Sequence, residues 1–221
     1  MQGETMVVQR KQAAMTYEEF LDWADEDTLA EWVDGRVEMT SPANARHQQL
    51  GQFVYDIVSR FVAAHNLGAL LLPPFQMRLP QSGREPDLLF LSQASLARLR
   101  SSFINGPADL VMEIVSPESV TRDYETKLAE YQAGGVPEYW LLDPDTRQAA
   151  FYQLDAQGAY QPVAPDARGI YRSRALPGFW LDVAWLWQAP LPDVEDTALR
   201  IVGDAYARYL IARLQGQGYL P

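Results

Sequence analysis

The residues around two carboxylates and one amine suggest that the three groups share one chemical role. These groups belong to Asp87, Glu113 and Lys127. Asp87 opens the apolar run 88–91, and Glu113 stands in the middle of the run 110–115. Neither run alternates with polar residues, which predicts strands that are buried on both faces of a sheet. A carboxylate inside such a sheet needs a partner, because an unpaired buried charge costs several kcal/mol or becomes protonated.

The chemistry of these three groups points to a metal and a phosphate. A divalent cation is the simplest partner for two converging carboxylates, since hard cations prefer oxygen ligands. Lys127 falls on a predicted helix that follows the second strand. An ammonium group beside a carboxylate-bound metal is suited to a phosphate, so the three residues favour phosphate-directed catalysis.

Each of the three residues also has a purely structural interpretation. Asp87, directly after Pro86, could begin a strand and cap a loop. Glu113 and Lys127 could form a buried ion pair that binds no metal, and Lys127 could equally be a solvated helix residue. These alternatives stay open at the level of the sequence.

Four further residues are candidates for supporting roles. Asp123, Lys127 and Tyr131 recur at four-residue spacing and share one helix face, on which Asp123 and Tyr131 would orient the lysine. His47 lies on the apolar side of a predicted helix, where histidine is more often a hydrogen-bonded packing residue than a ligand. Glu31 falls in a predicted hairpin, where a structural role and a further site carboxylate are both open.

The composition fits a globular protein and limits its partners. The chain has 221 residues, of which 48% are hydrophobic and 21% charged, as expected of one domain with appendages. It has no cysteine, which excludes disulfides, thiolate metal sites and a cysteine nucleophile. The net charge of −11 counts against tight, metal-free binding of nucleic acid. No apolar run has membrane-spanning length and no secretory signal is visible, so we expect a cytoplasmic protein with no membrane partner.

The start of the chain predicts an arm, a helix and a hairpin. Residues 1–15 lack periodicity and are expected to form an N-terminal arm. Thr16 and Glu19 have the spacing of a capping box before a short amphipathic helix. Asp34-Gly35 between two apolar runs predicts a two-residue hairpin turn.

The remaining elements predict an α/β fold. Ser41 as N-cap and Pro42 at the first helical position predict the start of a long helix. Later patterns predict strands at 87–91, 109–115 and 138–143, helices at 93–98, 120–133 and 199–214, and an antiparallel meander from residue 150 through the runs near residues 160 and 170. These elements together predict a mixed β-sheet flanked by helices, with an N-terminal hairpin and a C-terminal antiparallel extension.

The ordered motifs resemble those of a known family. The motifs are Glu85-Pro86-Asp87, the strand 109–115 with Glu113, the helix residues Asp123, Lys127 and Tyr131, the strand Glu138–Asp143, and the segment Pro177–Asp182. This series resembles the PD-(D/E)xK nuclease superfamily and, more closely, the Uma-type endonucleases. The resemblance implies a restriction-endonuclease-like domain over residues 16–190, between the arm at 1–15 and a C-terminal helical appendage at 191–221.

The resemblance also implies a reaction, a metal and a substrate. Asp87 and Glu113, with the carbonyl of Ile114, would hold Mg²⁺ or Mn²⁺, and Lys127 would act on the attacking water or on the phosphate charge. DNA would be the substrate, and a homodimer would supply two sites for two strands. The superfamily's usual lysine stands two residues after the second acid, where this chain has Val115. The Uma-type pattern implies that Lys127 takes its place.

Two other functions remain open at this stage. The acidic net charge and Val115 would fit a nuclease-fold binding or assembly protein without turnover. A metal-dependent hydrolase of small phosphate esters would need the same three groups. Divalent-metal binding distinguishes the nuclease from the binding protein. Activity on DNA distinguishes the nuclease from the hydrolase of small phosphate esters.

Overall fold

The computed structural model describes residues 14–25 and 28–220 of the chain. The helices are α1 (Tyr17–Trp23), α2 (Ala45–His65), α3 (Leu128–Gly134), α4 (Val194–Val202) and α5 (Asp204–Gly216). The strands are β1 (Ala30–Val33), β2 (Arg36–Met39), β3 (Gly68–Leu71), β4 (Gln76–Arg78), β5 (Ser82–Arg84), β6 (Leu88–Ser92), β7 (Phe103–Asn105), β8 (Leu110–Ile114), β9 (Glu138–Asp143), β10 (Gln148–Leu154), β11 (Tyr160–Pro162), β12 (Ile170–Arg172) and β13 (Trp180–Asp182). Gln93–Arg98 and Val183–Trp187 are 3-10 helices, and Arg122–Lys127 is a π-helical segment.

A six-stranded mixed sheet forms the centre of the fold, in the order β11-β10-β9-β8-β6-β3. β8 and β9 pair in parallel, whereas the other neighbours pair antiparallel. Both β6 and β8 are covered on their two faces, and Leu88, Leu89, Leu110 and Val111 are inaccessible to solvent. The prediction of two strands buried on both faces is therefore confirmed.

Helices cover the two faces of this sheet. α2 is amphipathic, and its buried side consists of Leu50, Phe53, Val54, Ile57, Val58, Phe61 and Val62. These residues share a core with Met112 and Trp140 of the sheet. On the other face, Val111 and Tyr139 pack with Tyr131 of α3 in a second core. The mixed sheet flanked by helices agrees with the predicted fold class.

The predicted start of the long helix is wrong by a few residues. α2 begins after Asn44, whose side-chain oxygen accepts a hydrogen bond from the backbone N–H of His47 at 2.9 Å. Ser41 and Pro42 therefore lie in the loop before the helix. Asn44 can satisfy an otherwise unpaired amide of the first turn, which explains why the helix begins there.

The predicted hairpin is confirmed and belongs to a second sheet. β1 and β2 pair antiparallel, with Trp32 opposite Val37, and Asp34 and Gly35 both have positive φ, at 46° and 79°. Such a pair of φ values is typical of the type I′ turn that suits the twist of a hairpin. The second sheet has the order β2-β1-β5-β4-β7, so the hairpin lies at its edge.

The C-terminal part differs from the prediction in two ways. The single helix expected at 199–214 is instead two helices, because Gly203 adopts φ 64° and ψ −144° between α4 and α5. The expected meander is also divided. β10 and β11 continue the central sheet, whereas β12 pairs with β13 in a separate two-stranded sheet.

The segment after β8 is helical as predicted, but its first part has π-helical geometry. The π-helical segment runs directly into α3, which ends at Gly135 in the left-handed region with φ 77°. The predicted arm at 1–15 lies outside the described residues, apart from Ala14 and Met15. Within residues 14–25 and 28–220, none of the helices combines the length and apolar content needed to cross a bilayer.

Candidate active site

The pairing of β6 with β8 brings Asp87 and Glu113 together. Leu88 pairs with Met112 in this antiparallel register, so the next position along places Asp87 opposite Glu113. Oδ2 of Asp87 accepts a hydrogen bond from the backbone N–H of Ile114 at 2.7 Å, which holds the carboxylate beside the end of β8. The register of the strands therefore joins two acids that are distant in sequence.

Lys127 completes a buried cluster with Glu113. Its Nζ donates to Oε1 of Glu113 at 2.7 Å, and the hydroxyl of Tyr131 donates to the same oxygen at 2.7 Å. Lys127 and Glu113 are only 3% and 4% exposed. Tyr131 was expected to orient the lysine, but its hydrogen bond goes to the carboxylate. Tyr131 therefore positions Glu113.

Two more carboxylates face the ammonium group of Lys127. Oε1 of Glu31 lies 3.4 Å from Nζ, and Oδ1 of Asp123 lies 3.7 Å from it. Glu31 reaches the cluster from β1, so the second sheet contributes to the site. The other oxygen of Asp123 accepts a hydrogen bond from the hydroxyl of Ser119. Lys127 is thus surrounded by three carboxylates from three parts of the chain.

Arg84 is a buried cation that the sequence analysis missed. Its Nη1 donates to Glu31 at 2.8 Å and to Glu38 at 2.9 Å, while Nε and Nη2 donate to the two oxygens of Glu130 at 2.8 and 2.6 Å. The guanidinium is inaccessible to solvent. Glu31 is therefore held between two cations, Arg84 and Lys127. An arginine beside the Glu85-Pro86-Asp87 motif was the only sequence signal, because its partners lie in β1, β2 and α3.

The cluster has more carboxylates than cations, and the pKa values reflect this excess. Burial raises the pKa of Glu113 to about 8, against the opposing effect of Lys127. Burial alone would lower the pKa of Lys127, but Glu113, Glu31 and Asp123 together raise it. Burial alone would raise the pKa of Glu31, but Lys127 and Arg84 lower it to about 2. The excess of carboxylates therefore keeps Lys127 charged at neutral pH and makes the ionised form of Glu113 less favourable than that of a solvated carboxylate.

His47 lies beside Asp87, in the first turn of α2. Its Nε2 is 3.3 Å from Oδ2 of Asp87. Burial would lower the pKa of His47, but the hydrogen bonds to Asp87 and to the Ile114 backbone raise it above the ordinary value. His47 is thus in contact with Asp87 and with the backbone of Ile114, and its functional role stays a prediction.

The predicted site residues other than Tyr131 meet at one cleft, which has a volume of about 800 Å³. Its lining includes the predicted residues Glu31, His47, Asp87, Glu113, Ile114, Asp123 and Lys127. Tyr131 is fully buried and touches the site through Glu113. Glu85, Ser119 and Arg122 also line the cleft, although the sequence analysis did not name them as site residues. Their positions depend on the loops around the cleft, which no local pattern predicts.

Asp87 and Glu113 each keep one oxygen that is available to a ligand. Oε2 of Glu113 and Oδ1 of Asp87 accept no hydrogen bond from the described residues, whereas the second oxygen of each acid does. Across residues 14–25 and 28–220, no group of three His, Cys, Asp or Glu side chains is spaced to hold a metal ion. The residues present thus fit a cation of the Mg²⁺ type only if a backbone carbonyl and water complete its ligands, which is usual for Mg²⁺. Ile114, whose carbonyl is the predicted third ligand, lines the same cleft.

Comparisons with known proteins show the family of the chain and a related fold. The family model Uma2, described as "Putative restriction endonuclease", matches residues 17–184. A crystal structure titled as a putative nuclease belonging to DUF820, from Anabaena variabilis, has a TM-score of 0.66 and 17% identity. The match covers 78% of this chain and 97% of that chain. No curated protein matches the chain. Since the family model spans most of the sequence and every residue of the cluster, the chain belongs to the Uma2 family, whose description is "Putative restriction endonuclease".

Proposed function

We propose that this protein is a metal-dependent endonuclease that hydrolyses phosphodiester bonds in DNA. One observation carries the proposal: Asp87 and Glu113 lie opposite each other on paired strands, and Lys127 lies 2.7 Å from Glu113, in one cleft. Membership of a family described as "Putative restriction endonuclease" supports DNA as the substrate. The similar fold of the DUF820 structure agrees with this proposal.

Asp87 and Glu113 are the proposed ligands of Mg²⁺ or Mn²⁺, together with the carbonyl of Ile114. When bound there, a divalent cation would supply Lewis-acid stabilisation of the phosphate charge and would lower the pKa of a coordinated water. Each acid keeps one oxygen for this purpose, because the other oxygen is held by Ile114 or by Lys127 and Tyr131. The hydrogen bonds would orient the free oxygens toward the cleft and limit their rotation.

Lys127 has the proposed role of orienting the attacking water and stabilising negative charge on the phosphate. The surrounding carboxylates raise the pKa of Lys127, although burial opposes them, so the side chain carries a proton at neutral pH. A protonated lysine favours charge stabilisation over proton abstraction. Glu31 and Asp123 hold the ammonium group from two further sides, which supports positioning roles for both residues.

The test is the nicking of supercoiled plasmid in Mg²⁺ or Mn²⁺ by the wild-type protein and by Asp87→Asn and Glu113→Gln variants. We expect nicking by the wild type and a loss of about 100-fold or more in each variant, because each removes a proposed metal ligand. Asp145→Asn is the matched control, since Asp145 is exposed in a turn and does not line the cleft. Full activity in both site variants would overturn the proposed site.

A binding or assembly protein without turnover is the second candidate. It is favoured by the ion pair between Lys127 and Glu113, which satisfies one oxygen of Glu113 without a metal. Calorimetric titration with Mg²⁺ and Mn²⁺ separates the two functions. The nuclease requires binding that Glu113→Gln weakens, whereas the binding protein predicts no divalent-metal binding in either protein.

A further inference from the structure

Arg122 is a cation in the cleft whose donors are not used by the described residues. It lines the cleft at the beginning of the π-helical segment, and its side chain is 34% exposed. Its Nε is buried and has no hydrogen-bond partner in the part of the chain that the structure describes. The nearest carboxylate oxygen is Oδ1 of Asp123, at 3.7 Å, which is too long for a hydrogen bond.

The other cationic side chains of the cleft lining have partners. Lys127 donates to Glu113 at 2.7 Å and has Glu31 and Asp123 nearby. His47 lies 3.3 Å from Asp87. Buried donors are nearly always hydrogen-bonded in folded proteins, so the unpaired Nε of Arg122 leaves a donor available for an acceptor that enters the cleft.

The chemistry of the guanidinium suits an oxyanion, and under the proposed nuclease function this oxyanion is a phosphate. Its planar donors match the oxygens of a phosphate in a two-point contact, which a small cation or a neutral sugar would not provide. Arg122 also stands next to Asp123, whose carboxylate faces Lys127, so a group bound by Arg122 would lie close to the cluster. Arg122 and Lys127 differ in their exposure and in their contacts. Lys127 is only 3% exposed, and its contacts are carboxylates.

We propose that Arg122 binds a phosphate group of the DNA strand. This phosphate group flanks the phosphate group that is cleaved. This inference rests on the proposed nuclease function and adds a substrate-binding residue to it. Arg122 would contribute to the binding of the strand and leave the chemical step to Asp87, Glu113 and Lys127. Its removal should therefore raise KM more than it lowers kcat.

The experiment measures DNA binding by fluorescence anisotropy at several salt concentrations, with Ca²⁺ in place of Mg²⁺, and plasmid nicking in parallel. The proteins are the wild type, Arg122→Gln, Arg122→Lys and the control Arg172→Gln, whose side chain is 66% exposed. For Arg122→Gln we expect the slope of log K against log[salt] to become shallower by about 0.9 on duplex DNA, as for one lost phosphate contact. We also expect a rise of about tenfold in KM, with kcat changed by less than about threefold.

Arg122→Lys separates a phosphate contact from a structural role. Lysine retains the charge but not the planar donors, so the salt slope should return to the wild-type value while affinity recovers only in part. Unchanged affinity, slope and KM in Arg122→Gln, in a wild type that binds and cuts DNA, would overturn this inference and leave the nuclease intact. A wild type that neither binds nor cuts DNA would overturn the nuclease and this inference together.

Discussion

Nζ of Lys127 donates to Oε1 of Glu113 at 2.7 Å, across a separation of 14 positions in the chain. The contact is nearly inaccessible to water, and Glu31 and Asp123 lie within 3.4 and 3.7 Å of the same nitrogen. Removing the lysine would leave buried carboxylates without their shared cation. The stability of the fold and the geometry of the site therefore depend on the same pair.

We expect Lys127→Met to lower the free energy of unfolding by about 3–5 kcal/mol at pH 7, the usual cost of breaking a buried ion pair from one side. Adding Glu113→Gln to this variant should restore part of the loss, because one of the unpaired acids is then neutral. Urea unfolding of the wild type, the two single variants and the double variant gives a double-mutant cycle, which measures the interaction between the two side chains. Strictly additive effects would show that the two side chains do not interact.

Glu31 should make the stability depend on pH in the acidic range. Lys127 and Arg84 lower its pKa to about 2, although burial opposes them, from the ordinary value of 4.5. The unfolded chain therefore takes up the proton first as the pH falls. The stabilisation is fully present above pH 4.5 and is lost as the pH approaches 2, by about 3.5 kcal/mol in total if the shift is converted at about 1.4 kcal/mol per pH unit.

The measurement compares the wild type with Glu31→Gln by urea unfolding at several pH values from 7 to 3. The difference in the free energy of unfolding should favour the wild type at pH 7 and shrink steadily below pH 4.5. Gln cannot titrate, so subtracting the free energy of unfolding of Glu31→Gln from that of the wild type cancels the contributions of the other acids. A difference that stays constant over this range would show that Glu31 has an ordinary pKa in the folded protein.

Arg84→Met should be among the most destabilising single changes in the chain. Glu31 and Glu130 would lose a guanidinium that is inaccessible to solvent, and we expect a cost of about 3–5 kcal/mol. The matched control is Arg172→Met, because Arg172 is 66% exposed and lies 3.8 Å from Asp166. That exposed pair should contribute less than about 1 kcal/mol. Thermal unfolding of both variants gives the comparison, and equal effects would contradict the prediction.

Glu138→Gln tests how the C-terminal strands are attached to the central sheet. Oε2 of Glu138 accepts from the backbone N–H groups of Arg174 and Ala175, each at 2.8 Å. Oε1 accepts from Trp140 and from the hydroxyl of Tyr171, each at 2.7 Å. Glutamine replaces one of these oxygens by an NH₂ group, which would face the donors that the oxygen now accepts from. We therefore expect the free energy of unfolding to fall by about 2–4 kcal/mol.

The control for this variant is Glu125→Gln, which makes the same chemical change at an exposed position. Its effect on stability should stay within about 0.5 kcal/mol. Urea unfolding measures both variants. If Glu138→Gln is as stable as the control, the four hydrogen bonds do not hold the attachment.

Local patterns were sufficient for several parts of the fold. The capping box of Thr16 and Glu19 is present, because it needs only residues that are three positions apart. The Asp34-Gly35 turn is also present, since the positive φ of its residues is a local preference. Helix ends were less accurate. The N-cap of α2 is Asn44 and not the predicted Ser41. Both residues are good caps, and the surrounding loop decides between them.

The sequence by itself determined that one acid opens an apolar strand, that a second acid interrupts another, and that a lysine follows on a helix. It could do so because burial on both faces leaves a continuous apolar pattern, in which a single carboxylate is conspicuous. Only the tertiary structure decided which groups surround the lysine. Glu31 comes from the second sheet and Arg84 carries the compensating charge, and such partners are set by strand register and the packing of two sheets, which no pattern of neighbouring residues encodes.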